Sequence, residues 1–164
     1  MATMTVLEFD TPSGADRMIH ALADLQQQRL ITVLDAAMVS WPEGAKKPKT
    51  QQVHNLAASG ALGGAFWGLL FGLIFFVPLF GMAVGAAFGA LSGAMGDVGI
   101  DDGFIKRVRD EVKPGSSALF LLSAGAVPDR LAEEVRNRGL NFKLVSSNLS
   151  QEHEGKLREI FGAE

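Results

Sequence analysis

Residues 56–96 read LAASGALGGAFWGLLFGLIFFVPLFGMAVGAAFGALSGAMG, and this stretch decides the architecture of the chain. It contains no Asp, Glu, Lys or Arg. In lipid, glycine at four-residue spacing forms a smooth helix edge on which a second helix packs closely. Two such runs occur, and we predict that their glycines are the helix-packing and oligomerisation residues. They are Gly60, Gly64, Gly68, Gly72, Gly81, Gly85, Gly89 and Gly93.

Pro78 divides the stretch, because proline lacks an N–H and disfavours helix at the preceding residue. Residues 56–77 reach the length of about 20 residues that a membrane-spanning helix needs, and residues 79–96 are at the short end of the range. The pattern predicts a transmembrane helical hairpin over residues 55–96. Its turn carries no charge, and the sequence leaves open whether the hairpin spans the bilayer or lies shallow.

The two predicted helices differ in bulk. The second is small on most faces, which favours several helix neighbours and therefore self-association with the second helices inside. The first has large side chains away from its glycines, and we expect these to contact lipid. They are Phe66, Trp67, Leu69, Leu70, Phe71, Leu73, Ile74, Phe75 and Phe76.

The flanking sequence reads as a soluble α+β domain. Short β-favouring runs at 3–9, 30–39, 117–123 and 141–147 alternate with amphipathic helical patterns after Thr11-Pro12, at 103–112, at 128–139 and from Ser150. This order matches a ferredoxin-like βαββαβ plan. We therefore predict residues 1–54 as the first half of the domain, 55–96 as the inserted hairpin, and 97–164 as the second half with a C-terminal helix.

Both hairpin ends join one domain, so both must leave the bilayer on the same side. Lys46, Lys47 and Lys49 precede the hairpin, and further cations at 106, 107 and 109 follow it. Positive flanks favour the cytoplasmic side. The prediction is a protein of the inner (cytoplasmic) membrane, with both termini and the soluble domain in the cytoplasm.

Several sequence features together resemble a bacterial membrane family known as domain of unknown function 1269. They are the N-terminal TVLEFD strand, the paired glycine runs, GDVGIDDGFIKRV, SALFLL, and the closing NLSQEHEGKLREIF. The resemblance covers nearly the whole chain. It implies an inner-membrane-associated protein without an assigned activity, and it supplies no catalytic residues. Some members of the family are described as stress-associated, so the resemblance also implies a link to stress.

The composition argues against most chemistry. The formal net charge is −3, which gives no electrostatic case for nucleic acid, and there is no cysteine. Asp97, Asp101 and Asp102 are carboxylates of the kind that hard cations favour, but they lack the spacing of a cation site. We expect Asp101 or Asp102 to cap a helix and the cluster to form a solvated membrane exit. Asp16 and His20 are expected on a solvent-facing helix surface. We therefore predict no catalytic residue, cofactor or metal.

The leading functional prediction is a non-enzymatic, self-assembling bacterial membrane protein, acting as a stress-related scaffold or a membrane-remodelling oligomer. Its partners would be the lipid bilayer and further copies of itself. Two alternatives stay open. One is a pore or transporter-like oligomer, although ionisable residues normally mark such a path and the stretch has none. The other is a membrane-anchored sensor that binds a small ligand or a partner, since ferredoxin-like folds host many functions.

Overall fold

The computed structural model describes residues 2–27, 32–52, 64–76, 99–100, 102–124, 133–134, 136–137, 139, 142–148 and 152–153. Its strands are β1 (Ala2–Phe9), β2 (Thr32–Ser40), β3 (Lys49–Gln52), β4 (Ser117–Ala124) and β5 (Lys143–Asn148). Its helices are α1 (Gly14–Gln27), α2 (Gly64–Phe71), which continues as a π-helical turn (Gly72–Phe76), and α3 (Asp102–Glu111).

The strands form one antiparallel sheet in the order β3-β2-β4-β1-β5. β4 lies at the centre of the sheet and pairs with both β1 and β2. In this register Ala118 of β4 is opposite Glu8 of β1 on one side and Val39 of β2 on the other. The α+β prediction is therefore confirmed. β3 was not predicted, because the loop after Lys46 is polar and its four residues form only a short edge strand beside β2.

One face of the sheet packs on α1. The apolar spacing predicted for this helix is correct, because Met18 and Leu22 are buried while Asp16 and His20 are exposed. Residues of β1, β2 and β4 complete this half of the core, and they include Leu7, Phe9, Val33, Ala36, Leu119 and Leu121.

The opposite face of the sheet is apolar as well. Met4 and Val6 of β1 and Phe120 and Leu122 of β4 point to this side and are buried. α2, its π-helical turn and α3 cover them, so that the sheet lies between two helical layers. An apolar face on each side explains why β4 reads as a continuous hydrophobic run rather than an alternating one.

A side chain distant in sequence fixes the start of α1. The Ser117 hydroxyl accepts a hydrogen bond from the Ala15 amide at 2.9 Å and donates one to the Thr11 carbonyl at 2.7 Å. The first amides of a helix have no partner within the helix. β4 therefore supplies a cap for α1 across the sheet, in addition to the Thr11-Pro12 signal.

Gly14 is a close contact between α1 and β1. A Cβ atom at this position would lie 2.4 Å from Phe9 Cβ and 2.7 Å from Phe9 Cγ. Phe9 is 2% exposed and has no room to move aside.

We expect Gly14→Ala to lower the free energy of unfolding by about 1–3 kcal/mol, the usual range for overpacking. Chemical denaturation measures this change. The control is Gly68→Ala, where the new Cβ meets nothing within 4 Å; equal losses in both variants would contradict the explanation.

Candidate functional site

The charge-free stretch enters the described structure through α2 and its π-helical turn, and these residues form part of the domain core. Phe66, Leu70 and Ile74 are fully buried against the sheet and α3. The expectation that the bulky side of this helix contacts lipid is therefore wrong for the residues whose burial is described. The reason is the second apolar face of the sheet, which α2 covers. The other buried members are Trp67, Phe71, Leu73 and Phe75.

Aromatic rings connect α2 to the central strand. The Trp67 and Phe71 rings stack with centroids 5.9 Å apart, and Phe71 meets Phe120 of β4 edge-to-face at 5.0 Å. At the other end of the helix, Phe75 meets Trp41 edge-to-face at 6.1 Å. Such pairs contribute about 0.5–1.5 kcal/mol each beyond the area they bury. The cluster therefore holds α2 along its whole described length.

A buried carboxylate orients Trp67. Asp35 is 1% exposed, and its Oδ2 accepts a hydrogen bond from Trp67 Nε1 at 3.2 Å. Its Oδ1 accepts one from the Ala36 amide at 2.8 Å. β2 is irregular here: Val33 pairs with Ser123 and Asp35 with Leu122, so Leu34 is an extra residue. Such a bulge changes the face to which later side chains point, and it turns Asp35 towards α2.

A second polar contact holds the end of the π-helical turn. Arg109 of α3 donates from Nη2 to the Leu73 carbonyl at 2.7 Å and from Nε to the Ile74 carbonyl at 3.1 Å. The last carbonyls of a helix need partners from outside it. Proline has no N–H, so residue 78 donates no backbone hydrogen bond to this turn. Arg109 donates to both carbonyls from outside the helix. This cation, predicted only as a membrane flank, therefore has a structural partner.

The glycines of α2 lie on the side of the helix away from the sheet. Gly68 is exposed and Gly72 half-buried, and among the described residues no atom lies within 4 Å of a Cβ atom added at either position. Gly64 is the first residue of α2. The other predicted packing glycines, Gly60, Gly81, Gly85, Gly89 and Gly93, lie outside the described residues. What the structure describes of the glycine edge is thus smooth, open and backed by a rigid apolar layer.

Comparison with known proteins agrees with the resemblance in the sequence. Residues 61–162 match the model of a family described as protein of unknown function (DUF1269). The chain belongs to the DUF1269 family. The match begins just before α2 and extends past β5, so β1, α1 and β2 precede it, and the family model does not extend to the TVLEFD strand. No curated protein and no solved structure matches the chain.

The charge-free stretch is only partly described, and this bears on whether it crosses a bilayer. Among the residues that the structure describes, none belongs to a helix with both the length and the apolar character needed for a membrane crossing. The described helical residues from Gly64 to Phe76 end before Pro78. The hairpin over residues 55–96 stays a prediction, since most of it lies outside the described residues.

Where the structure describes the other polar candidates from the sequence, it does not bring them together into a site. Asp102 begins α3, whereas Asp97 and Asp101 lie outside the described residues. The described ranges contain no group of three or more His, Cys, Asp or Glu residues placed to hold a metal ion. His153 is half-buried near the C-terminus, and His54 is outside the described ranges. Trp41 donates its indole N–H to the Ala45 carbonyl at 2.9 Å.

A charged cleft that the sequence did not reveal lies where β1 and β5 pair. Glu8 is opposite Lys143, whose Nζ is 3.1 Å from Glu111 Oε2 of α3. Hydrogen bonding to Glu111 raises the pKa of Lys143. Burial raises the pKa of the Glu8 carboxyl, and the charge of Lys143 offsets part of this effect. Only the pairing of strands distant in sequence brings these groups together, so no local pattern indicates the cleft.

Glu8 gives a prediction about the pH dependence of stability. The pKa of Glu8 is higher in the folded state than in the unfolded chain. The folded state therefore loses stability as the pH rises from the unfolded-state pKa of Glu8 to its folded-state pKa. We expect Glu8→Gln to melt at a higher temperature than the original chain at about pH 7, and the difference to disappear near about pH 4. Thermal melts across this range test it, with the exposed Glu43→Gln as control. A lower melting temperature of Glu8→Gln at neutral pH would show that attraction to Lys143 outweighs burial.

Proposed function

We propose that this DUF1269 protein is a non-enzymatic, self-assembling membrane protein whose copies associate through the glycine edge of the charge-free stretch. The observation that carries the proposal is the orientation of α2. Its large side chains pack inside the domain, and within the described part of the chain no atom lies within 4 Å of a Cβ atom added at Gly68 or Gly72. Glycine inside a helix costs about 1 kcal/mol relative to alanine. Close approach of a second helix is a physical reason to accept that cost repeatedly.

Membrane association is the second part of the proposal. Its support is the sequence, in which no Asp, Glu, Lys or Arg occurs between Lys49 and Asp97. The exposed cations Lys46, Lys47, Lys106 and Arg107 on either side suit a surface of anionic lipid. In this proposal the soluble part and both termini lie in the cytoplasm, and the assembly acts as a scaffold or remodels the membrane, with a role under stress.

We also propose that the soluble part has a ferredoxin-like fold. The neighbour order β2-β4-β1-β5, all antiparallel, supports this proposal, because it is the order of the four strands in that plan. α1 connects β1 to β2 as the plan requires. Two features add to it: β3 extends the sheet beyond β2, and α2 with α3 covers the face that a single pair of helices would leave open.

The test of self-assembly uses glycine substitutions that leave the fold intact. In Gly68→Leu the new side chain enters open space and should preserve the domain, but it should keep a second helix from approaching closely. We expect the original chain to be oligomeric and Gly68→Leu to shift to monomer, measured by light scattering in detergent and by cross-linking in lipid vesicles. His20→Leu, which places the same new side chain at an exposed position of α1, is the control. An original chain that is monomeric in both media would refute the proposal.

A further inference from the structure

A cavity of about 210 Å³ lies at the end of the π-helical turn, between that turn, α3 and the loop after β2. Its inner surface is apolar and immobile, because Ile74, Phe75 and Val112 line it and are each buried in the core. A cavity of about 150 Å³ with apolar walls is large enough to bind benzene. This cavity therefore has room for a body of about six to eight carbon atoms.

Trp41 forms an aromatic wall of the cavity. It is half-buried, its ring contacts Phe75 edge-to-face at 6.1 Å, and its indole N–H is held by the Ala45 carbonyl at 2.9 Å. Its own amide bonds the Ser116 carbonyl at 2.9 Å, and its carbonyl accepts from the Gly115 amide at 2.7 Å. Three hydrogen bonds, one from the indole and two from the backbone, thus hold Trp41 in place without a ligand.

The polar groups that line the cavity are cations. Arg109 and Lys113 both line it, and Lys113 is exposed. Arg109 uses Nε and Nη2 on the carbonyls of Leu73 and Ile74, and its guanidinium has further N–H donors. Lys46 and Lys47 follow directly after Ala45, which holds the Trp41 indole, whereas Glu43 is the acidic residue on this loop. Among the described residues, both charged side chains that line the cavity are thus cations.

We propose that this cavity binds a single-chain anionic amphiphile, with the apolar body against Ile74, Phe75 and Trp41 and a carboxylate at Lys113 and Arg109. An apolar pocket with a few convergent polar groups is the usual form of a small-molecule site. Cations at one edge select a negatively charged head, since hydrogen bonds between charged groups are stronger than neutral ones. The site is independent of the glycine edge, and its proposal does not depend on self-assembly.

The experiment titrates octanoate into the full chain, held in an uncharged maltoside detergent, and follows the two indole N–H resonances by NMR. The chain has two tryptophans, so Trp41→Phe assigns the signals. We expect the Trp41 signal to move and the buried Trp67 signal to stay. The neutral matched compound 1-octanol should bind more weakly. Lys113→Gln should weaken octanoate binding by about threefold to tenfold, whereas Lys106→Gln, at an exposed position of α3, should not.

Several outcomes would overturn the proposal. One is a Trp41 signal that does not respond to octanoate. That result would leave the self-assembly proposal untouched, because light scattering and cross-linking test it separately. Another is equal affinity for octanoate and 1-octanol, with Lys113→Gln unchanged, which would show an apolar cavity without preference for a charged head. A third is binding of a short-chain phosphatidylglycerol without binding of octanoate, which would assign the cations to a two-chain lipid instead. Because Lys113 is exposed, its substitution tests the charge without disturbing the core.

Discussion

Phe71→Ala is expected to lower the free energy of unfolding by about 3–5 kcal/mol, as for other large-to-small changes in a packed core. Phe71 is 3% exposed, stacks on Trp67 and meets Phe120 of the central strand edge-to-face. If α2 were only a membrane segment beside the domain, this substitution would leave the sheet unaffected. The prediction therefore tests whether the charge-free stretch contributes to the core of the soluble part.

The measurement is denaturant unfolding of the full chain followed by a signal from the sheet, such as far-ultraviolet circular dichroism. Gly68→Ala is the matched control, on the same helix but on its open side. It should leave stability unchanged or raise it by up to about 1 kcal/mol, through helix propensity. Equal stability of Phe71→Ala and the original chain would show that α2 does not pack on the sheet in solution.

Trp67→Phe is expected to lower the free energy of unfolding by about 2–4 kcal/mol, although the new side chain is aromatic and fills most of the site. The larger part of this loss comes from Asp35. The substitution removes the indole donor from its buried carboxylate, and hydrogen bonds to charged groups contribute about 1.5–3 kcal/mol. The remainder comes from the smaller volume of the phenyl ring.

A double-mutant cycle with Asp35→Ala isolates the contact between the two side chains. We expect a coupling energy of about 1–3 kcal/mol, typical of residues in direct contact. Trp41→Phe is the control, because its indole N–H donates to a neutral carbonyl at a half-buried position. It should cost about 0.5–1.5 kcal/mol. A coupling energy near zero would mean that the 3.2 Å contact between Asp35 and Trp67 does not contribute to stability.

Outside residues 55–96, most elements that the structure describes could be predicted from local sequence patterns, whereas most of the helices predicted at 128–139 and from Ser150 lies outside the described residues. β1 and β4 were placed within one residue of their ends, and α3 was predicted over 103–112 and observed over Asp102–Glu111. Apolar spacing and turn residues act within a few positions of each other, so they can be identified in one sequence. β3 has neither signal, because its four residues are polar and pair only along the edge of β2.

The position of α2 could not be predicted in the same way, although a signal was present. An apolar stretch with glycine at regular spacing suits lipid and a protein core equally, since both exclude water. The deciding information lies in β4, where Ala118, Leu119, Phe120, Leu121 and Leu122 are consecutive and all buried. A strand of this kind needs cover on both faces.

The polar contacts of the site were beyond prediction for a different reason. Asp35 with Trp67, and Arg109 with the carbonyls of Leu73 and Ile74, are pairs separated by more than 30 residues in the sequence. The bulge at Leu34 also reverses the face to which Asp35 points, and no residue pattern in β2 indicates it. Such contacts follow from the tertiary arrangement alone.

The double layer over the sheet has a practical consequence for handling this protein. A natural way to obtain a water-soluble fragment would be to replace the oily insertion with a short linker. That shortening would remove α2 and its π-helical turn from one face of the sheet. Met4, Val6, Phe120 and Leu122 would then be exposed to solvent. A trimmed version that respects the architecture would retain the segment through Phe76 and begin its excision only beyond that residue.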